Sequence, residues 1–150
     1  MENVYSDEEF DKLKTKVLKY ILYSKRTEKN IRKKFENEDE IILEDVIEYL
    51  KEAGYINDSN YIKKAVAEFI NLKNLSLKEL EYKLRQKGIE KDIIDDYIYN
   101  NKETLLEYEI NSAKNLIIKK RNTLEDNEIK QYLSNKGYMS ETIKIAIEEV

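Results

Sequence analysis

The sequence contains no cysteine, no histidine and no proline, and it has only three glycines in 150 residues. Without cysteine there is no disulfide framework, which fits a reducing compartment, and we expect the protein in the cytoplasm. Histidine is the commonest general base and metal ligand, and cysteine is the best protein nucleophile, so the usual catalytic triads and zinc sites are excluded. The composition therefore excludes most enzyme classes, and we predict a protein that is not an enzyme and that uses no metal or cofactor.

The acidic residues leave one catalytic possibility open. The pair Asp95 and Asp96, or the acidic run at 36–40, would in principle suit an acid–base pair or a carboxylate-bound magnesium ion. We interpret both as solvated surface charge, and no glycine-rich phosphate loop is present. No apolar run reaches the roughly 18 residues of a membrane span, and the acidic start of the sequence does not resemble a secretory signal.

Charged residues make up 39% of the chain and apolar residues 41%, and the two classes alternate at helical spacing. This composition, with glycine and proline so rare, is typical of an almost entirely helical protein rather than of a disordered one. We therefore predict an all-α fold.

The apolar pattern also repeats at a spacing of 49 residues. A period of this length is typical of stacked helical modules, which present extended surfaces to partners. We predict three tandem three-helix repeats, stacked into an elongated, gently curved superhelix, at 11–58, 59–102 and 103–150, after an acidic N-terminal tail at 1–10. In the first two repeats, the matched pairs are Leu13 and Ile62, Val17 and Val66, Tyr20 and Phe69, and Ile21 and Ile70. Three sets match across all three repeats: Thr27 with Ser76 and Glu125; Ile31 with Leu80 and Ile129; and Phe35 with Leu84 and Leu133.

Caps and glycines divide each repeat into helices. Thr27 and Ser76 are predicted N-caps of the second helix in the first two repeats, and Ser140 that of the last helix. The three glycines, Gly54, Gly88 and Gly137, follow predicted helices as C-terminal stop residues. The first helix is expected from about Asp11 to Ser24, with Tyr23 on its apolar stripe, and the stripe of the seventh helix includes Ile110, Ala113, Ile117 and Ile118.

Charge is strongly segregated in the first repeat. Residues 12–34 hold ten basic side chains and one acid, whereas residues 36–58 hold nine acids and one base. A segregated basic face suits an acidic groove or nucleic-acid phosphates. The alternative is that both runs are solvated helix surfaces, or that they neutralise each other inside the repeat.

Three segments resemble motifs of the RecX family of recombination regulators. They are RTEKNIRKKF at 26–35, GYIND at 54–58 leading into Tyr61, and LRQKGI at 84–89, in the family's order and spacing. The resemblance extends from about Leu13 to Val150. The chain departs from the family pattern at Asn30, at Asn57 and in the turn at 71–75, which lacks the family's basic, glycine-containing sequence.

The resemblance implies a non-enzymatic regulator of homologous recombination, DNA repair and the SOS response. Such proteins bind the RecA filament on single-stranded DNA and inhibit or modulate its ATPase, strand-exchange and co-protease activities, and some also touch DNA. We expect a monomer that makes no contact with membranes. A direct nucleic-acid-binding module and a helical adaptor for another protein are the alternatives, and the acidic net charge of −4 with few arginines argues against tight duplex binding.

We predict that the partner contacts the basic clusters of each repeat and that these line one continuous concave side. The group at 119–121 has a simpler alternative, because cations at a helix C-terminus also stabilise the helix. The predicted contact residues are Lys25, Arg26, Lys29, Arg32, Lys33 and Lys34 in the first repeat, Lys83, Arg85 and Lys87 in the second, and Lys119, Lys120 and Arg121 in the third.

Overall fold

The structure is a computed structural model that describes residues 4–24 and 26–150. The described residues form nine α-helices and no strand, so the predicted all-α class is confirmed. The bounds of the three repeats and their stacking stay predictions. The helices are α1 (Asp7–Tyr23), α2 (Glu28–Lys34), α3 (Glu40–Glu52), α4 (Asp58–Leu72), α5 (Leu77–Gln86), α6 (Lys91–Asn100), α7 (Lys102–Lys120), α8 (Asp126–Asn135) and α9 (Ser140–Glu149).

Side-chain caps set where the helices begin. Thr27 and Ser76 are the N-caps of α2 and α5, as predicted. Ser76 forms a capping box with Glu79, and Thr27 forms one with Asn30. Two starts differ from prediction. Ser6 forms a capping box with Glu9, so α1 begins at Asp7 and residues 7–10 are helical rather than a tail. Ser140 is the first residue of α9 and Met139 is its N-cap.

The three glycines lie just beyond helices, as predicted. Gly54, Gly88 and Gly137 have φ angles of 83°, 90° and 97°, in the left-handed region that other residues rarely adopt. After α3, the backbone N–H groups of Tyr55 and Ile56 both donate to the carbonyl of Leu50, which closes the helix end.

The first of two compact units consists, within the described residues, of 4–24, 26–61 and Gly88–Glu90. Helix α1 packs against α3, and the T-shaped pair of Tyr20 and Phe35, with ring centroids 5.7 Å apart, joins α1 to the end of α2. Tyr23 lies outside this core and is 88% exposed, so its predicted place on the apolar stripe is wrong. The buried core residues are Leu13, Val17, Ile31, Phe35, Leu43, Val46, Ile47, Leu50 and Ile56.

The second compact unit consists of Ile62–Lys87 and Lys91–Val150. Helix α7 packs along α9, and α8 contacts both. The stripe of α7 differs from prediction, because Ile118 is 58% exposed whereas Glu109 is fully buried. One core cluster of this unit consists of Ala113, Ile117, Ile129, Leu133, Tyr138, Ile143 and Ala146. Among the described helices, none is both long and apolar enough to cross a membrane.

Candidate partner-binding surface

The basic segment of the first repeat lies on and before α2. Lys29, Lys33 and Lys34 are exposed on this helix, which Thr27 caps at its N-terminus. Three cations, Arg32, Lys33 and Lys34, occupy its last turn, where they face the negative end of the helix. Lys25, predicted to contact the partner, lies outside the described residues.

Arg26 stacks on an aromatic ring. Its guanidinium carbon lies 4.2 Å from the ring centroid of Tyr20, and the Nζ of Lys34 lies 5.8 Å from the same centroid. A cation over the face of a tyrosine is attracted by the electron density of the ring. The Nε of Arg26 is buried and has no hydrogen-bond partner among the described residues. Arg26 therefore stacks on Tyr20, and no carboxylate of residues 4–24 and 26–150 pairs with it.

Arg32 is held by carboxylates on two helices. It donates two hydrogen bonds to Glu44 on α3, at 2.7 and 3.0 Å, and its Nε donates to Glu28 at 3.0 Å. The bond from Arg32 lowers the pKa of Glu44. Burial alone would raise the pKa of Glu28, but hydrogen bonds from Lys51 and Arg32 outweigh it and lower that pKa. Arg32 therefore binds α2 to α3, and its charge is already satisfied within the unit.

The segregated charges of the first repeat are partly neutralised by each other. Arg32 of the basic run pairs with Glu44 of the acidic run, and Lys16 pairs with Glu38 at 3.6 Å. Lys51, the one base of the acidic run, pairs with Glu28, the one acid of the basic run. The alternative of internal neutralisation is thus correct in part.

The second repeat carries a matching cluster. The Nζ atoms of Lys83 and Lys87 lie 5.9 and 5.4 Å from the ring centroid of Phe69 on α4. Phe69 stands 49 residues after Tyr20, and Lys83 stands 49 residues after Lys34. The repeat period therefore reproduces the ring and one of its two cations, whereas the second cation, Arg26 in the first cluster and Lys87 in the second, comes from positions that do not match. Arg85, the third predicted residue here, is exposed on α5.

In the third repeat, the aromatic ring and one of its two cations come from different positions of the repeat. Lys120 at the end of α7 and Lys136 after α8 lie 4.8 and 5.6 Å from the ring centroid of Tyr132 on α8. Lys119 is exposed. Arg121 is engaged locally, because it pairs with Asp126 at 3.3 Å and donates to the carbonyl of Val150 at 2.7 Å. Sequence reasoning missed Lys136, although it stands 49 residues after Lys87.

A basic groove of about 520 Å³ lies between α5 and the end of α8. Three lysines and one glutamate contribute its charge, and the ring of Tyr82, which is 65% exposed, adds an apolar wall. Lys136 forms an ion pair with Glu79 at 3.3 Å across it. The groove is lined by Lys78, Glu79, Tyr82, Lys83, Ser134, Asn135, Lys136 and Gly137.

Buried polar contacts set the shape of this groove. The hydroxyl of Ser76 donates to the carbonyl oxygen of Lys136 at 2.7 Å, and Ser76 is fully buried. A Cβ atom at Gly137 would lie 2.9 Å from Cβ of Lys78, so the backbone after α8 approaches α5 more closely than another residue would allow. Glu109 of α7 accepts from the backbone N–H of Leu77 at 2.7 Å. The groove walls are therefore joined by fixed contacts.

The first unit repeats this arrangement. A Cβ atom at Gly88 would lie 2.8 Å from Nδ2 of Asn30 and 3.1 Å from Oγ1 of Thr27. Asp58 accepts from the backbone N–H of Glu28 at 3.1 Å, as Glu109 does from Leu77, and Glu28 and Leu77 are 49 residues apart. At the N-termini of both α2 and α5, a glycine and a carboxylate from later in the chain thus pack close to the first residues of the helix.

The described part of the chain holds no group of three or more acidic side chains placed to bind a metal ion.

The chain is similar to known proteins in both sequence and structure. A protein of Clostridium beijerinckii named Regulatory protein RecX is 30% identical over 158 aligned positions, covering 100% of this chain and 73% of the relative. A protein of the same name from Finegoldia magna is 36% identical, covering 85% of this chain and 66% of the relative. The crystal structure of RecX from Lactobacillus salivarius matches with a TM-score of 0.77 and 26% identity, over 96% of this chain and 97% of that one. No protein-family model matches the chain.

Proposed function

Because the chain belongs to the RecX family of regulatory proteins, we propose that it binds the RecA recombinase filament on single-stranded DNA and regulates it. Its main effect is inhibition of the ATPase, strand-exchange and co-protease activities of the filament. The family assignment is the observation that carries this proposal, since the resemblance of the motifs implies RecA as the partner. The protein acts by contact, without a cofactor and without catalysis of its own.

The distribution of available charge supports contact with an acidic partner. Lys29, Lys33 and Lys34 are exposed on α2, whereas Arg32 is already bound to Glu28 and Glu44. Exposed cations that lack carboxylate partners accelerate association with an acidic surface and favour that surface over others. We therefore assign the first contact to the three lysines rather than to the arginine between them.

The recurrence of basic clusters supports a multivalent contact. Clusters with two cations on an aromatic ring occur at Tyr20, Phe69 and Tyr132. A chain with several weak contacts to neighbouring protomers of a filament binds far more tightly than one contact would allow. Occupancy of several protomers then hinders the conformational cycling that ATP turnover requires, or blocks access of a second DNA strand.

The proposal is tested by the rate of ATP hydrolysis by RecA on single-stranded DNA. The unmodified protein is expected to slow hydrolysis. The triple variant Lys29→Glu, Lys33→Glu, Lys34→Glu should need a concentration at least about tenfold higher to reach the same inhibition. The matched control is Lys63→Glu, Lys64→Glu, Lys102→Glu, which makes the same change in net charge at exposed positions on α4 and α7. It should inhibit like the unmodified protein. Failure of the unmodified protein to affect or bind the filament would refute the proposal.

Binding measurements separate this function from direct nucleic-acid binding. We expect much tighter association with RecA-coated single strands than with the same strands bare. Phosphate-dominated binding would need no recombinase and would fall steeply as salt increases. Equal affinity for bare and coated strands would favour the nucleic-acid-binding alternative.

A further inference from the structure

Two large apolar side chains are strongly exposed at matched positions of the first two repeats. Tyr23, the last residue of α1, is 88% exposed, and Leu72, the last residue of α4, is 75% exposed. They are separated by 49 residues, the period of the repeat. Single exposed apolar residues are ordinary on protein surfaces. Their occurrence at the same position of two repeats is not explained by packing within either unit.

Each exposed residue stands beside one of the cation-covered rings. Tyr23 follows Tyr20 by three positions on α1, and Leu72 follows Phe69 by three positions on α4, a spacing that makes helix residues surface neighbours. We call Tyr20, Tyr23, Arg26 and Lys34 patch 1, and Phe69, Leu72, Lys83 and Lys87 patch 2. Each patch thus combines an exposed apolar side chain, a partly buried ring and two cations.

The cations of the two patches differ from the basic residues that form ion pairs. Over residues 4–24 and 26–150, none of Arg26, Lys34, Lys83 and Lys87 forms an ion pair, in contrast to Arg32, Lys51 and Lys136. An exposed apolar side chain next to a ring that carries two unpaired cations is complementary to an apolar pocket edged by carboxylates. Apolar anchors in such a setting supply most of the binding energy of a protein interface, and the charges at the edge add selectivity.

We propose that Tyr23 and Leu72 are equivalent anchors, each inserting into the same acidic-edged apolar pocket on successive subunits of a polymeric protein partner. This rests on the proposed function, in which that partner is the RecA filament. Two anchors of the same design at the same repeat position fit a partner that presents the same pocket more than once. A partner with a single pocket would use only one of them.

Leu72 decides between a protein and a nucleic acid as the occupant. Single-stranded nucleic acids are held by stacking of bases on aromatic faces, and a leucine side chain offers no such face. The position 49 residues after Leu72 is Arg121, whose charge is engaged by Asp126 and by the carbonyl of Val150. The structure therefore assigns two anchors of this kind to the described chain, one in each compact unit.

The test uses three single substitutions in the full chain: Tyr23→Ser, Leu72→Ser and the control Tyr99→Ser. Tyr99 lies on α6 and is 77% exposed, so its loss removes a comparable apolar surface outside both patches. Circular dichroism and thermal unfolding should show that all three variants fold like the unmodified protein. Dissociation constants are then measured for RecA-coated and for bare single-stranded DNA.

We expect Tyr23→Ser and Leu72→Ser each to weaken binding to coated strands by about tenfold, and Tyr99→Ser to leave it within about twofold. The double variant should bind more weakly than either single variant. Binding equal to that of Tyr99→Ser would overturn the anchor assignment alone. An equal loss on bare strands would also overturn it, because the occupant would then be nucleic acid. If the unmodified protein does not bind coated strands, the proposed function itself is wrong and the anchors lose their partner.

Discussion

The carboxylate of Glu109 lies 2.7 Å from the backbone nitrogen of Leu77 and is completely buried. Its second oxygen accepts a longer hydrogen bond from the backbone N–H of Met139, at 3.4 Å. One side chain of α7 therefore satisfies a donor at the first residue of α5 and another at the N-cap of α9. Backbone donors at helix N-termini need such partners when they are buried.

Replacing Glu109 by alanine should destabilise the protein by about 2–4 kcal/mol, because two backbone donors lose their acceptor and a cavity remains. Glu109→Gln keeps one carbonyl acceptor and should cost less. The free energy of unfolding from urea denaturation measures both effects. An alanine variant as stable as the unmodified protein would show that the contact with Leu77 contributes nothing.

Asp58 makes the corresponding contact in the first unit, but its charge opposes folding. Burial raises the pKa of Asp58 above its ordinary value of 3.8. The hydrogen bond from the backbone N–H of Glu28 opposes this rise, and repulsion from the Glu28 carboxylate adds to it. As the pH rises above 3.8, Asp58 loses its proton more readily in the unfolded chain than in the folded protein, so its ionisation lowers the stability of the fold at neutral pH.

We expect Asp58→Asn to raise the free energy of unfolding at pH 7 by at most about 1 kcal/mol, since asparagine still accepts from Glu28 without a buried charge. This gain in the free energy of unfolding should disappear as the pH falls below 3.8, because Asp58 is then protonated in both the folded and the unfolded protein. Asp58→Ala removes the acceptor and should be destabilising at both pH values. A gain for Asp58→Asn that persists in acid would contradict this account.

The three glycines should differ in their tolerance of alanine. All three have left-handed φ angles, so each substitution costs about 1 kcal/mol of backbone strain. A Cβ at Gly54 would meet no atom within 4 Å, whereas at Gly88 and Gly137 it would approach Asn30 and Lys78 to 2.8 and 2.9 Å. Thermal unfolding should therefore rank Gly54→Ala as the mildest change. Equal losses at the three positions would show that the neighbours move aside without cost.

Arg32 should contribute to stability and Lys33 should not. Pairing with Arg32 lowers the pKa values of Glu28 and Glu44, so the ion pairs contribute their full stabilisation at pH values above the ordinary carboxyl pKa of 4.5. This stabilisation is lost as the pH falls through the lowered pKa values of the folded protein. Arg32→Met should cost about 1 kcal/mol at pH 7, allowing for solvent screening, and progressively less in acid. Lys33→Met is the matched control, with an expected change within about 0.5 kcal/mol. Urea denaturation at pH 7 and pH 3 measures both, and an Arg32 effect independent of pH would speak against the ion pairs.

The ends of several helices follow from local features of the sequence. Thr27 and Ser76 satisfy backbone donors within three residues, and Gly54, Gly88 and Gly137 adopt left-handed conformations that end helices. Caps and stops of this kind involve only neighbouring residues, so the pattern alone predicts them. The early start of α1 was missed because Ser6 and Glu9 precede the apolar stripe, although they form the same capping box.

The all-α class and most helix ends are predictable from the residues, because they depend on helix periodicity and short-range hydrogen bonds, and the period of 49 residues and the family motifs are present in the residues themselves. The tertiary fold settles which charges remain available. Arg32 and Lys33 are adjacent in sequence, yet Glu44 of α3 neutralises the first and leaves the second exposed. It also decided that Glu109 is buried whereas Tyr23 and Leu72 are exposed. Burial and pairing depend on side chains that distant helices bring together, and spacing along one helix does not specify them.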